Sequence, residues 1–287
     1  MESAMPLVSV IMLTHNKKKY TRAALEGLVT TRGVDLEVLV VDNGSTDGTV
    51  ALLEEMKPGF QAGGLTLRWL LNDTNVGCCT ARNQGLEASQ GQYCVFMDND
   101  VVAAGPGWAS GLLATLKKQK GAGIIGPKLT YPVPPHLIQC AGVGISRNGR
   151  VQFRGRGQPR KAREFNRRRD VQALISACVM FPRALYEEIG GLDEAFNPIE
   201  FEDLDFCYRA RAAGYRCIYE PAVEMHHWES ITSEGTPALP NRHLIIKHGM
   251  LFKERWRHMF EKEDGPSDEE CRWLPITMES LDGKRTR

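Results

Sequence analysis

Short apolar runs rich in β-branched residues alternate with helix-patterned stretches over roughly residues 6–126, and two of those runs break off at an aspartate. Leu7–Leu13 reads as a buried strand, Leu36–Val41 as a second ending at Asp42, Leu65–Leu70 as a third, and Tyr93–Met97 as a fourth ending at Asp98. Lys18–Thr31, Thr49–Met56 and Thr80–Ser89 carry helical spacing between them, and a helix Trp108–Lys118 and a strand Gly123–Ile125 follow. Strands and helices alternating at this pace predict an α/β chain with a mostly parallel sheet and helices on both faces. Such sheets bind ligands in the crevice outside the carboxyl ends of their strands, which is where Asp42, Asp98 and Asp100 fall.

After Pro127 the texture changes. Pro132, Pro134 and Pro135 punctuate a loop, and a glycine-rich stretch and an arginine-rich run from Arg147 to Arg169 come next. Ala173–Phe181 reads as a core strand, Asp203–Ala213 as a helix stopped by Gly214, Cys217–Glu220 as a short strand and Arg242–Phe260 as an amphipathic helix. The expected organisation is one continuous domain over 1–261, with a nucleotide-binding half at about 6–126 and an acceptor-binding half at about 127–261. Residues 262–287 read as a charged, mobile C-terminal tail.

Composition removes several function classes. A formal net charge of +1 leaves no global basic field for nucleic acid. The eight cysteines lack the paired spacing of a zinc site and several sit in apolar runs, as buried thiols do in a reducing, cytoplasmic compartment. Met1–Ser9 has no basic region followed by an apolar stretch, so no secretory signal is expected. No window reaches the roughly 18–20 apolar residues of a membrane helix, which excludes a membrane-embedded synthase and leaves open a peripheral enzyme at the inner face of a membrane. Oligomeric state is not legible.

Four short segments carry chemistry. Asp98-Asn99-Asp100 can converge two carboxylates on one hard divalent cation; a solvated acidic turn is the alternative. Asn75-Val76-Gly77 precedes Ala81-Arg82-Asn83-Gln84-Gly85, so that Gly77 allows close backbone approach, the following helix offers N–H groups, and Arg82 can pair with phosphate; a capped loop with a surface arginine is the alternative. Glu202-Asp203-Leu204-Asp205 opens a helix, where a carboxylate serves either as a cap or as a general base. His226-His227-Trp228 can supply an imidazole to a metal or be structural. The arginine-rich run suits an anionic acceptor or a solvated mobile loop.

Taken in order, these segments resemble the family 2 glycosyltransferases of GT-A fold. The similar segments are Val8–Ile11 through Asn16, Val40–Gly48, Asn75–Gly77 with Ala81–Gly85, Asp98–Asp100, Gly190–Glu194, Glu202–Arg209, Ala213–Tyr215 and the histidine pair, together spanning roughly Pro6 to Trp256. The local wording is closer to rhamnosyl-type and other cell-surface polysaccharide members than to processive synthases. The resemblance implies that Thr14, Asn16, Asp42, Asn75, Gly77, Arg82, Asp98 and Asn99 bind a UDP-, dTDP- or GDP-sugar, with Asp42 at the base and Arg82 at the diphosphate. It implies Asp98, Asp100 and His226, with His227 as the alternative, as ligands of Mn²⁺ or Mg²⁺. It implies Asp203 as catalytic base and Glu202 and Trp228 on the side of a glycan, lipid-linked or protein hydroxyl acceptor. The expected activity is therefore metal-dependent, inverting sugar transfer, with a retaining transferase or an inactive sugar-nucleotide binder as rivals. The insertion from Gly142 to Val171 departs from the family pattern, so acceptor identity does not carry over.

Overall fold

The computed structural model describes residues 7–228, 241–274 and 276; the start of the expected domain and residues 277–287 of the expected tail lie outside them. The first part alternates β1 (Leu7–Thr14), α1 (Lys18–Leu28), β2 (Asp35–Asp42), α2 (Thr49–Ala62), β3 (Thr66–Leu71), α3 (Cys78–Ala88) and β4 (Tyr93–Asp98). A short β5 (Val101–Ala103), α4 (Trp108–Lys118) and β6 (Ala122–Thr130) continue it. Beyond lie β7 (Ile138–Cys140), β8 (Val143–Ile145), β9 (Val151–Phe153), β10 (Arg169–Val171), β11 (Cys178–Pro182), α5 (Arg183–Ile189), α6 (Glu202–Ala212), β12 (Arg216–His227) and α7 (Asn241–Phe260).

One ten-stranded sheet runs through both parts in the order β10-β12-β6-β11-β4-β1-β2-β3, with β5 paired to β12 and β7 to β6. The β4-β1-β2-β3 group is parallel, as is the β12-β6 pair, while β11 runs antiparallel between β4 and β6. Strands covered on both faces by helices are apolar along their whole length, and Val8, Val10–Met12, Val38–Val41 and Cys94–Met97 are all buried. Register puts Thr14 opposite Asp42 and Leu13 opposite Asp98, so the polar ends of β1, β2 and β4 open on one rim of the sheet. Among the described residues, no helix is long and apolar enough to cross a membrane.

The expected and observed elements differ most in the second part. β6 runs through Pro127 to Thr130, so the change of texture falls inside a strand. Only the end of the expected core strand Ala173–Phe181 pairs as β11. β12 extends from Arg216 to His227, because a register shift between Glu220 and Glu224 carries it past Pro221. The arginine run is tied down at three points and solvated elsewhere: Arg168 pairs with Glu220 at 2.6 Å, Arg160 with Glu224 at 2.8 Å, and Arg156 lies 3.9 Å from the Trp273 ring centroid, while Arg147, Arg150, Arg163, Arg167 and Arg169 are exposed. The described residues just beyond Glu261 also pack down, with Glu263 accepting from Arg211 and Gln172 at 2.6 Å and Asp268 from Ser146 at 2.6 Å.

Candidate active site

At the rim, β4 delivers Asp98 and the turn after it delivers Asp100. β5 pairs antiparallel with β12 and sets His227 opposite Val101, the residue next to Asp100. His227 Nε2 lies 3.3 Å from Asp100 Oδ1 and 3.9 Å from Asp98 Oδ2, and one ligand atom from each of the three groups lies within 4.8 Å of the others. His227 Nδ1 is 2.7 Å from Gln139 Oε1. Because that amide oxygen only accepts, Nδ1 carries a proton, so in the neutral ring Nε2 is the nitrogen left to offer a lone pair on the side of the carboxylates. Two carboxylates and an imidazole lone pair converging from a buried wall fit a divalent cation such as Mn²⁺ or Mg²⁺.

His226 is not part of this group. Successive side chains on a strand face opposite ways, and His226 turns to the other side of β12, where Nδ1 pairs with Thr130 Oγ1 at 2.9 Å and the ring stacks on His136 at 4.6 Å. The preference for His226 over His227 is therefore reversed. A signal for this was present: Val223, Met225 and His227 are the buried alternates of the strand, while Ala222, Glu224 and His226 form the other set. Pro221 hid the strand, since proline ordinarily argues against a central strand.

Arg82, on α3, is buried beneath the acids instead of standing open to a diphosphate. Its Nη2 pairs with Asp98 Oδ1, its Nη1 donates to Ser176 Oγ at 2.6 Å and lies 3.6 Å from Glu202 Oε1, and its Cζ lies over the Phe96 ring, 5.4 Å from the centroid. Ser176 N in turn donates to Asp203 Oδ2 at 3.1 Å, and Leu204 N donates to Asp203 Oδ1 at 2.7 Å. One run of hydrogen bonds thus joins the metal-ligand candidate Asp98 to the base candidate Asp203. Burial, and after it the Glu202 carboxylate, pushes the Asp203 pKa up to about 7. Burial also raises Glu202, opposed by Arg82. Glu200 is pushed up to about 7 by burial and then by Asp203. Glu202 was expected on the acceptor side, but it is buried against Arg82 and accepts from the Cys78 thiol at 3.5 Å. Trp228 instead lies edge-on to Tyr20 of α1, with its backbone N–H donating to the Asp100 carbonyl at 3.2 Å.

On the nucleotide side, Asp42 is buried at the end of β2. Its Oδ1 accepts from Ser45 N at 2.8 Å, while its Oδ2 has no partner among the described residues. Thr14 and Asn99 are buried and bonded to each other at 3.0 Å and to Thr21, tying the ends of β1 and β4 together. Asn16, in a left-handed conformation, accepts from Thr46 N at 2.8 Å through its side chain. Asn75 accepts from Gly77 N at 3.0 Å and from Asn43 at 3.1 Å. The close approach that Gly77 permits is to Asn197, whose amide a Cβ there would strike. Nor are the first N–H groups of α3 open to phosphate: Cys78 N donates to the Pro198 carbonyl at 2.7 Å and Cys79 N to Asn197 Oδ1 at 3.1 Å. Sequence reasoning missed Gln139, Ser176 and Asn197. A polar residue inside the apolar run Ala173–Phe181 was a signal for Ser176; Gln139 and Asn197 gave none.

A family model described as Glycosyl transferase family 2 matches residues 9–190. An uncharacterized protein of Sinorhizobium fredii is 29% identical over 259 residues, which make up 88% of this chain and 28% of that protein. The chain therefore spans under a third of that relative's length. The N-acetylglucosaminyl-diphospho-decaprenol L-rhamnosyltransferase of Mycobacterium tuberculosis is 26% identical over 268 residues, 86% of this chain and 83% of the relative. Among solved structures, a mannosyltransferase from Pyrobaculum calidifontis in complex with GDP-Man and Mn²⁺ shares the fold, with a TM-score of 0.62 at 19% identity over 92% of this chain and 67% of that one.

Proposed function

Because this chain belongs to glycosyl transferase family 2, we propose that it transfers a sugar from a nucleotide-diphosphate sugar to a hydroxyl acceptor, inverting the anomeric carbon with Asp203 as base. The observation that carries this reading is the hydrogen-bonded run Asp98–Arg82–Ser176–Asp203, which holds a donor-side acid and an ionisable carboxylate in one rigid frame. Asp98, Asp100 and His227 would hold Mn²⁺ or Mg²⁺, which supplies charge neutralisation for a leaving diphosphate. Asp203 accepts the acceptor's hydroxyl proton as that oxygen bonds to the anomeric carbon and the bond to the diphosphate breaks. Arg82 keeps Asp98 oriented and, set between Asp98 and Glu202, balances the buried negative charge behind the site.

The unpartnered Asp42 oxygen suits a base that presents a ring N–H, as uracil, thymine and guanine do, in line with a UDP-, dTDP- or GDP-sugar. The mycobacterial relative's name specifies a diphospho-decaprenol acceptor, which favours a lipid-linked hydroxyl and peripheral association with the inner face of a membrane. The test is turnover with a panel of nucleotide sugars. Transfer should stop in EDTA and return with Mn²⁺ or Mg²⁺, and NMR should show the product's anomeric configuration opposite to the donor's. Full activity in EDTA removes the metal; a retained configuration removes Asp203 as base.

A further inference from the structure

Helix α7 buries one side and leaves the other without a protein partner among the described residues. His248, Phe252, Trp256 and Phe260 turn into the core. Across the helix Ile246 and Met250, one turn apart, are 63% and 67% exposed, and Ile245 beside them is 43% exposed. Ile199, 39% exposed, lies against the buried side of α7, where His248 Nδ1 donates to its carbonyl at 2.8 Å. Ile199 stands three residues before the first turn of α6, so α7 packs by its buried side on the segment that leads to Asp203.

Basic groups surround the aliphatic ones. Lys247, Lys253 and Arg257 are exposed along α7, and Gly149 packs against Lys253, which brings the exposed Arg147 to the same flank. The described acids near these cations are Glu254, Glu261, which is paired with Arg257 at 2.7 Å, and Asp268, which lies by Lys253 and is paired with Arg150 at 3.4 Å. An aliphatic crest flanked by lysine and arginine is the pattern of a helix that lies in a lipid interface, with its apolar side chains among the acyl chains and its cations at anionic headgroups. A second copy of the chain fits poorly, since a two-fold pairing of α7 centred on Met250 would set Lys247 of each copy beside Lys253 of the other.

We propose that this exposed face of α7 docks on an anionic phospholipid bilayer. The assignment rests on the peripheral-membrane reading above and adds to it the surface and the lipid charge. The test sediments the full chain with vesicles of phosphatidylcholine alone or mixed with phosphatidylglycerol. The wild type should bind the phosphatidylglycerol vesicles, less so as salt rises. Ile246→Ser with Met250→Ser should lower vesicle partitioning by about tenfold or more. Lys247→Gln with Lys253→Gln should weaken binding to the anionic vesicles and cancel most of the salt dependence. Circular dichroism and metal-dependent hydrolysis of the donor should match wild type in both double variants. If the wild type binds neither vesicle, the peripheral reading itself fails and this proposal with it. If it binds but the serine variant binds equally well, the α7 assignment alone is overturned. Light scattering that shows a wild-type dimer lost in the serine variant would assign the face to a second copy and also overturn the proposal.

Discussion

At the scale of single residues, the acids of the site separate by what holds them. Asp203 is gripped by two backbone N–H groups, from Ser176 and Leu204, and needs no other side chain to stay in place. Asp203→Asn keeps the shape and exchanges the proton acceptor for an amide, so kcat should fall by about 10²–10⁴-fold in steady-state assays with donor affinity near wild type. Near-normal turnover would unseat it as base. The histidine pair gives a second, sharper contrast, because its two members face opposite sides of β12. His227→Ala should abolish tight Mn²⁺ binding in calorimetry, and Gln139→Leu, which removes the acceptor that keeps the ring proton on Nδ1, should weaken it about 10–100-fold. His226→Ala should leave the affinity unchanged.

At the scale of elements, Asp205 pins α7 to α6. Fully buried, it accepts from Arg209 at 2.8 Å, Arg255 at 2.9 Å and Trp256 Nε1 at 2.8 Å. In sequence it stands two residues after Asp203 and three after Glu202, in the same acidic segment. In the structure it is the anchor of a helix pair, so Asp205→Ala should destabilise the fold by about 3 kcal/mol in urea titration, by stranding two partly buried guanidinium groups. Loss of activity in that variant should track unfolding, whereas Asp203→Asn, which keeps one backbone bond and turns its NH2 toward the other N–H, should cost about 1–3 kcal/mol and lose activity far beyond its loss of folded protein. A full loss of activity by Asp205→Ala at a wild-type midpoint would assign it a role in the site. The α3 terminus belongs to the same scale. Residues Asn75–Gly77 and Arg82 were read as a phosphate cradle, yet the loop at Asn197 and Pro198 caps that helix, and nothing in the local wording of either segment announces the other.

At the scale of the whole molecule, Glu200, Glu202 and Asp203 gather acidic charge where two parts of one sheet meet, and each has a raised proton affinity. A carboxyl whose folded pKa lies above its unfolded value lends stability that is complete below the unfolded pKa and lost as pH rises through the folded one. The cluster therefore favours the fold in mild acid and works against it above about pH 7, given the values near 7 for Glu200 and Asp203. Glu200→Gln should raise the midpoint of denaturation at pH 8, by on the order of 2 kcal/mol, with little effect at pH 4. A variant destabilised at pH 8 would refute the sign. Activity should run the other way, because a base must be ionised: kcat should climb with pH through the neutral range.

The alternation of apolar strands with helices in the first part of the chain was legible because both periods are local. An apolar run covered by helices on both faces reads as a strand wherever it occurs, and its end is marked by the first acid. Hence β1 to β4, the positions of Asp42 and Asp98, and the family were available from residues alone. The second part was less legible because its strands are short or interrupted: three-residue pieces such as β7 to β10 have no measurable period, and Pro221 masks the strand that carries His227. Tertiary structure decided which histidine meets Asp98 and Asp100, that Arg82 lies buried between Asp98 and Glu202, and that Gly77 makes room for Asn197. The physical reason is common to all three. Residue type and local pattern set which groups can ligate, pair or accept a proton, but pairing across β12 and β5, or between α3 and the Asn197 loop, depends on sheet register and packing between segments more than 100 residues apart.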